Sequence, residues 1–157
     1  MATYDFKSVG EKVTAAKYTA QREHLPPLGI ITPIRLSQGK TGLFEMHYDL
    51  QAQVRDNFKN LLLTNKGERL RNYNFGADLH PLAAEKLAQE DFDKEAMFQI
   101  REAVTAHMPF LELKSMSSET KTTGDTATTV HMLTITYDVP SLRVVDDKLV
   151  VNIICIG

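Results

Sequence analysis

The stretch Leu61–Leu79, LLLTNKGERLRNYNFGADL, constrains the fold more than any other part of the chain. It joins a helix ending in three leucines to a turn that holds Gly67, Gly76, Arg69, Arg71, Tyr73 and Phe75. Gly67 falls just past the last apolar helical position, where a left-handed C-cap residue is expected. Gly76 follows Phe75, and only glycine crosses the full range of backbone angles without steric cost. The turn is too short to bury a core of its own, so it is expected to act as a joint between larger elements. Glu68 stands beside Arg69 and close to Arg71. A guanidinium can hold a carboxylate through two hydrogen bonds. An ion pair between Glu68 and at least one of these arginines is therefore expected, within the chain or across an interface.

Around this joint the chain divides by pattern. Residues Met1–Tyr48 carry Pro26, Pro27, Pro33 and four glycines, with weak periodicity apart from a possible short helix over Lys12–Gln21. LPPLGIITPIRL has β-branched residues interrupted by prolines, which suits an extended arm or an edge strand better than a central one. This arm is expected to lie along a neighbour and to be poorly ordered alone. From Asp49 onward a compact domain is expected. Asp49 can cap a helix, and Leu50, Val54, Phe58, Leu61 and Leu62 repeat at helical spacing. Gln51, Arg55, Asp56 and Lys59 fall on the opposite face, and the helix should end near Asn65. A short helix with Pro81 in its first turn, Leu82, Ala83 and Leu87 follows, broken at Glu90-Asp91. A long helix through Phe92, Ala96, Ile100, Ala103 and Val104 should stop before Pro109.

Beyond Phe110 the apolar period changes to two. Leu111 and Leu113 alternate with charged residues, and His131, Leu133, Ile135, Tyr137 and Val139 form a second alternating set. The polar stretch between them should turn at Gly124-Asp125, and Asp146-Asp147 should punctuate the chain before the last strand, LVVNIICI. In that strand Leu149, Val151, Ile153 and Cys155 share one face, and Val150, Ile154 and Ile156 share the other with Asn152. Both faces are therefore expected to be covered, by a central position in the sheet or by a partner that pairs with a free sheet edge. Helices followed by strands indicate an α+β domain with a small antiparallel or mixed sheet and helices on one face.

Composition closes off several functions. A net charge of −2 gives no general attraction to nucleic acid. The single cysteine, Cys155, allows neither a disulfide within one chain nor a cysteine zinc site, and it lacks a basic neighbour to make it a reactive thiolate. No apolar run approaches the length of a membrane span. The polar N-terminus lacks the apolar core of a signal peptide, so a reducing compartment is expected. The five histidines form no close ligand pair. His107 reads as a helix-end histidine near the negative end of the dipole. Gly39-Lys40-Thr41 resembles the end of a phosphate loop, but isoleucine stands at position 34 where that loop needs glycine. Glu68 lies among Lys66, Arg69 and Arg71, which would hold it ionised and unfit it as the protonated acid of a glycosidase. Asp78 is expected to cap the short helix. No cofactor and no metal is expected.

An apolar helix followed by LLLTNKGERLRNYNFGADLHPL resembles the baseplate wedge proteins of contractile phage tails. Their fold family includes a baseplate component of type VI secretion systems and has been labelled lysozyme-like. Leu61–Thr64, Gly67-Glu68-Arg69, Phe75-Gly76 and Leu79 carry the likeness, which extends over about Asp49–Ile156. The preceding LGIITPIRLSQGKTGLFEMHYD is similar to an arm of the longer phage members. Many relatives carry a Glu-Pro-Arg triplet after the long helix that helps dock the protein onto the helical core bundle of the wedge. Here the matching positions are Met108, Pro109 and Phe110, so the proline remains and both charges are gone. Either that docking is apolar in this chain or another surface serves.

The resemblance implies a non-enzymatic virion protein, present in the host cytoplasm during assembly. It would sit in the baseplate near the tail tube and start the sheath by strand addition. Its partners would be other wedge proteins, the tail sheath protein and the tail tube, with neither nucleic acid nor membrane. The expected contact residues are Gly67, Glu68, Arg69, Arg71, Phe75 and Gly76 of the joint. Met108, Pro109 and Phe110 would add contacts after the long helix, and Val150, Asn152 and Ile154 in the last strand. A peptidoglycan-degrading enzyme using Glu68 and a soluble adaptor of the same fold are the alternatives.

Overall fold

The structure, a computed structural model, describes residues 26–37, 42–85, 89–123 and 128–156. The expected helix over Lys12–Gln21, the Gly39-Lys40-Thr41 triplet, Leu87 and the Gly124-Asp125 turn lie outside these residues. The chain forms two compact units, one ending at Asp56 and the other beginning at Asn57.

In the first unit the Pro-broken stretch folds back on itself. Strands β1 (Gly29–Ile30) and β2 (Met46–His47) pair antiparallel, Gly29 opposite His47 and Ile30 opposite Met46. A bridge between Leu36 and Phe44 continues the pairing. So do bonds from Ile31 N to Glu45 O and from Glu45 N to Arg35 O, each 3.0 Å. Within the stretch expected as an extended arm or edge strand, residues 28–37 and 42–47 thus pair antiparallel as the two sides of a hairpin. Helix α1 (Leu50–Leu63) starts in this unit, capped as expected by Asp49, whose Oδ2 accepts Ala52 N at 3.0 Å. Of the described residues before Asn57 only Val54 is buried, and Leu28, Ile30, Ile34, Leu36 and Leu43 are exposed. Hydrogen bonds, more than a core, hold this unit together.

The second unit packs helices on one face of an antiparallel sheet, as the change of period indicated. It contains the rest of α1, then α2 (Leu79–Ala84), α3 (Gln89–His107), β3 (Glu112–Thr123), β4 (Thr128–Val139) and β5 (Val144–Ile156). Strand order is β3-β4-β5, so the central strand is β4 and the last strand is an edge. The alternating set Leu133, Ile135, Tyr137 and Val139 faces the helices, fully buried, beside Leu149, Val151 and Ile153 of β5. Phe58, Leu61 and Leu62 of α1 and Phe92, Ala96 and Ile100 of α3 fill the helical side.

Phe58 meets Tyr137 edge-on, with centroids 5.1 Å apart, a favoured geometry for aromatic pairs. The Tyr137 hydroxyl, carried into the core by that ring, donates to Asp147 Oδ2 at 2.7 Å. Tyr137→Phe is expected to lower unfolding free energy by about 1 kcal/mol, the net worth of one such bond, in a urea titration.

Boundaries differ from expectation in three places. Helix α1 ends at Leu63, two residues before Asn65. Glu90 and Asp91 open α3 instead of breaking the chain, since carboxylates favour the positive end of a helix dipole. Strand β5 begins at Val144, and Asp146-Asp147 lies inside it. There Asp146 takes a left-handed φ of 54° and donates its N–H to Asp138 Oδ1 at 2.8 Å. Lys114 Nζ also binds Asp138, at 2.8 Å, and Asp146, at 3.0 Å, fixing this corner of the sheet.

Candidate interaction surface

The joint between α1 and α2 is built on its two glycines. Gly67 has φ 92° and donates its N–H to Tyr73 O at 2.7 Å, closing the turn. Gly76 has φ 131° and lies against the backbone of Thr64, where a Cβ would overlap the Thr64 carbonyl oxygen. Ala77 N then donates to that same oxygen at 3.1 Å. The chain leaves α1, loops out through the charged residues and returns onto the helix end.

Glu68 does not pair with Arg69 or Arg71. Its carboxylate accepts Asn65 N at 3.0 Å and Asn65 Nδ2 at 2.7 Å. The backbone bond first, and the side-chain bond second, hold its carboxyl below the ordinary carboxylate value. The expected pairing within the chain fails because the turn sends the arginines elsewhere. Arg69 Cζ lies over the Phe75 ring, 3.6 Å from its centroid, and Arg71 sits in a left-handed conformation, exposed. Asp78 likewise occupies the N-cap position of α2 without capping it. Its φ of 50° turns the carboxylate back to accept Lys66 N at 2.6 Å.

The end of α3 completes the surface. His107 Nε2 bonds Asn74 O at 3.0 Å, and its ring lies 5.0 Å from that of Phe75. Met108 is buried, and Leu111 N donates to its carbonyl across the Pro109-Phe110 turn. Phe110 is left 45% exposed. Arg69, Phe75, His107, Met108 and Phe110 line one groove with Asn57 and Asn60, about 310 Å³ in volume. Arg69 and Phe75 of the joint and Met108 and Phe110 after α3, 33 residues or more apart in sequence, therefore share one site, with the Arg69 guanidinium over the Phe75 ring. Leu70 and Tyr73 project beside it, 86% and 62% exposed.

Val150, Asn152 and Ile154 lie elsewhere, on the face of the sheet turned from the helices. All three are exposed, Val150 at 47% and Ile154 at 58%. The expectation that a central position in the sheet covers both faces of this strand is thus corrected among the described residues, and a partner is the cover that the other expectation named. Only Leu149, Val151 and Ile153 are buried, because they face the helices and among the described residues no second layer lies on the outer face.

Sequence reasoning missed a second polar cluster, in the first unit. Asp56 accepts Thr32 N at 2.7 Å and Thr32 Oγ1 at 2.6 Å, and lies 3.1 Å from His47 Nε2. Burial works against its charge, but the bonds from Thr32 and His47 outweigh that and lower its pKa. An aspartate on the polar side of a helix gives no sign of such a partner 24 residues away. Among the described residues the carboxyls that clearly depart from their ordinary values, Asp56, Glu68 and Asp138, are all lowered. Burial pushes the Cys155 thiol up, away from the thiolate. No three His, Cys, Asp or Glu side chains among the described residues are grouped to hold a metal.

Solved structures share the fold, two of them as follows. One is the crystal structure of a "putative tail lysozyme" from Geobacter sulfurreducens, 16% identical, covering 71% of this chain and 95% of that one, with a TM-score of 0.54. The second is a chain of the anti-feeding prophage baseplate, 17% identical, covering 76% of this chain and 90% of that one, with a TM-score of 0.58. At such identities the likeness is one of fold. No family model matches the chain, and no curated protein matches it in sequence.

Proposed function

We propose that this chain is a structural wedge subunit of a contractile-tail baseplate, seated near the tail tube, where it starts the sheath by accepting a strand. The observation that carries this reading is a three-stranded sheet of long strands with both outer edges unpaired among the described residues, in a baseplate-like fold. An edge strand offers free N–H and C=O groups, so an added strand gains a ladder of hydrogen bonds. The groove of Arg69, Phe75, Met108 and Phe110 is the docking surface for a neighbouring wedge protein, apolar where relatives carry charge. The working location is the virion tail.

The competing reading is a peptidoglycan hydrolase, favoured by the likeness to the Geobacter structure. A retaining or inverting glycosidase needs a carboxylic acid protonated at working pH. Glu68 is held the opposite way by Asn65, which supports the structural role. Two measurements separate the readings. Hydrogen exchange on dilute protein should show edge-strand amides becoming protected when sheath protein is added. Unchanged exchange across β3 and β5 would remove strand addition. Incubation with purified cell walls should give no turnover, and turnover abolished by Glu68→Gln would establish the hydrolase instead.

A further inference from the structure

The two edges of the sheet are unlike. Strand β3 carries Glu112, Lys114, Glu119 and Lys121, and its ladder is broken by a bulge between Leu113 and Ser115. Charges and bulges are the usual guards of an exposed edge. Strand β5 is guarded only in its first half, where Asp146, Asp147 and Lys148 lie and where its own register slips. From Leu149 to Ile156 it has no charge, no proline, no glycine and an unbroken register with β4. Among the described residues no strand pairs with its other side. Val150 and Ile154 stand exposed on the outer face of that unguarded half.

From this pattern we infer that two copies of the chain pair through β5, antiparallel and centred on Asn152, to form a continuous six-stranded sheet. The register follows from the side chains. A twofold axis normal to the sheet keeps outer faces together, so it must pass through a residue and not between two. Centred on Asn152, it sets Val150 opposite Ile154 of the second copy, and Ile154 opposite its Val150. The two exposed apolar residues of each copy thereby cover each other twice. On the inner face Val151 meets Ile153 and Leu149 meets Cys155, apolar against apolar. Asp146 and Asp147 fall at or beyond the end of the paired segment, so no like charges confront each other. Moving the axis to Ile154 shortens the ladder, and a centre on Val150, which pairs the whole strand, sets Ile154 against Asp146. The strand is complementary to itself in one register, and that is what identifies the occupant as a second copy. The pairing would mask the open edge of the free protein until a competing strand displaces it. It does not depend on the proposed role in a tail.

Sedimentation of the full chain over a dilution series tests the inference. The expected species at high concentration has about twice the 17.7 kDa chain mass and dissociates on dilution. Because Val150 and Ile154 are exposed in the single chain, charged variants there should keep the native circular dichroism spectrum. Val150→Glu with Ile154→Glu puts like charges directly opposite and should abolish the dimer. Val150→Lys with Ile154→Glu puts opposite charges there and should restore it. In a Cys155→Ser background, Asn152→Cys should form an intermolecular disulfide, since residues opposite across an antiparallel pair lie about 4.5–5.5 Å apart. Ser117→Cys on β3 should not. A chain that stays monomeric throughout, a dimer indifferent to both double variants, or cross-linking through Ser117→Cys in place of Asn152→Cys would each overturn the inference.

Discussion

Gly76→Ala is expected to lower the unfolding free energy of the second unit by roughly 3 kcal/mol or more, since backbone strain and overpacking each reach 1–3. Two causes act at one atom. The φ of 131° is a conformation that L side chains rarely adopt. The new Cβ would also strike the Thr64 carbonyl oxygen and come within 2.9 Å of the carbonyl carbons of Thr64 and Asn65. These are backbone atoms at the end of α1 and have no rotamer in which to yield. Moving them would break the bond from Ala77 N to Thr64 O, which sets Ala77 and Leu79 into the core. Gly67→Ala is the control. Its φ of 92° also disfavours a side chain, but a Cβ there meets nothing within 4 Å, so the loss should be only about 1–2 kcal/mol. Urea titrations of both variants would show the difference, and equal losses would mean that close approach at Gly76 is not what matters.

Those glycines were legible in the sequence because the constraint on them is local. A helix that must stop and a chain that must turn back need positive φ, and the residue type announces it. The helical stripe Val54, Phe58, Leu61 and Leu62 was legible for a similar reason, since periodicity records which side is dry. Leu50, at the first position of that stripe, is 47% exposed because the helix has only begun there. Pairing between side chains was not legible. Glu68 lies one residue from Arg69 and three from Arg71, yet the left-handed residue at Arg71 and the stacking of Arg69 on Phe75 leave Asn65 as its partner. Nor does apolar composition say whether a face is covered. Val150 and Leu149 look alike in sequence, and only the packing of helices on one face of the sheet decides that one is exposed and the other buried. In the candidate groove, Met108 and Phe110 were both expected as contacts after the long helix. The structure buries Met108 and leaves Phe110 exposed, on either side of the Pro109 turn.

Asp56→Ala is expected to release the hairpin of the first unit, with a loss of about 2–3 kcal/mol of local stability, the worth of hydrogen bonds to a charged acceptor. With only Val54 buried among its described residues, this unit has little apolar burial to substitute for the lost bonds. The substitution leaves Thr32 N, Thr32 Oγ1 and His47 Nε2 without this acceptor. Hydrogen exchange reads the effect directly. Ile31 and Glu45, whose amides bond across the hairpin, should lose protection, while amides of the central strand β4 should not. Acid should reproduce the variant. The folded pKa of Asp56 lies below the ordinary 3.8, so its contribution is complete above that value and fades as pH falls through the lower, folded one. The carboxyls of Glu68 and Asp138 are lowered as well, but both are solvent-screened and should add little to the acid response. On a descending pH series the hairpin amides should therefore open first in wild type, and in Asp56→Ala they should already be open at neutral pH. Loss of β4 protection together with the hairpin would show that Asp56 holds more than the first unit.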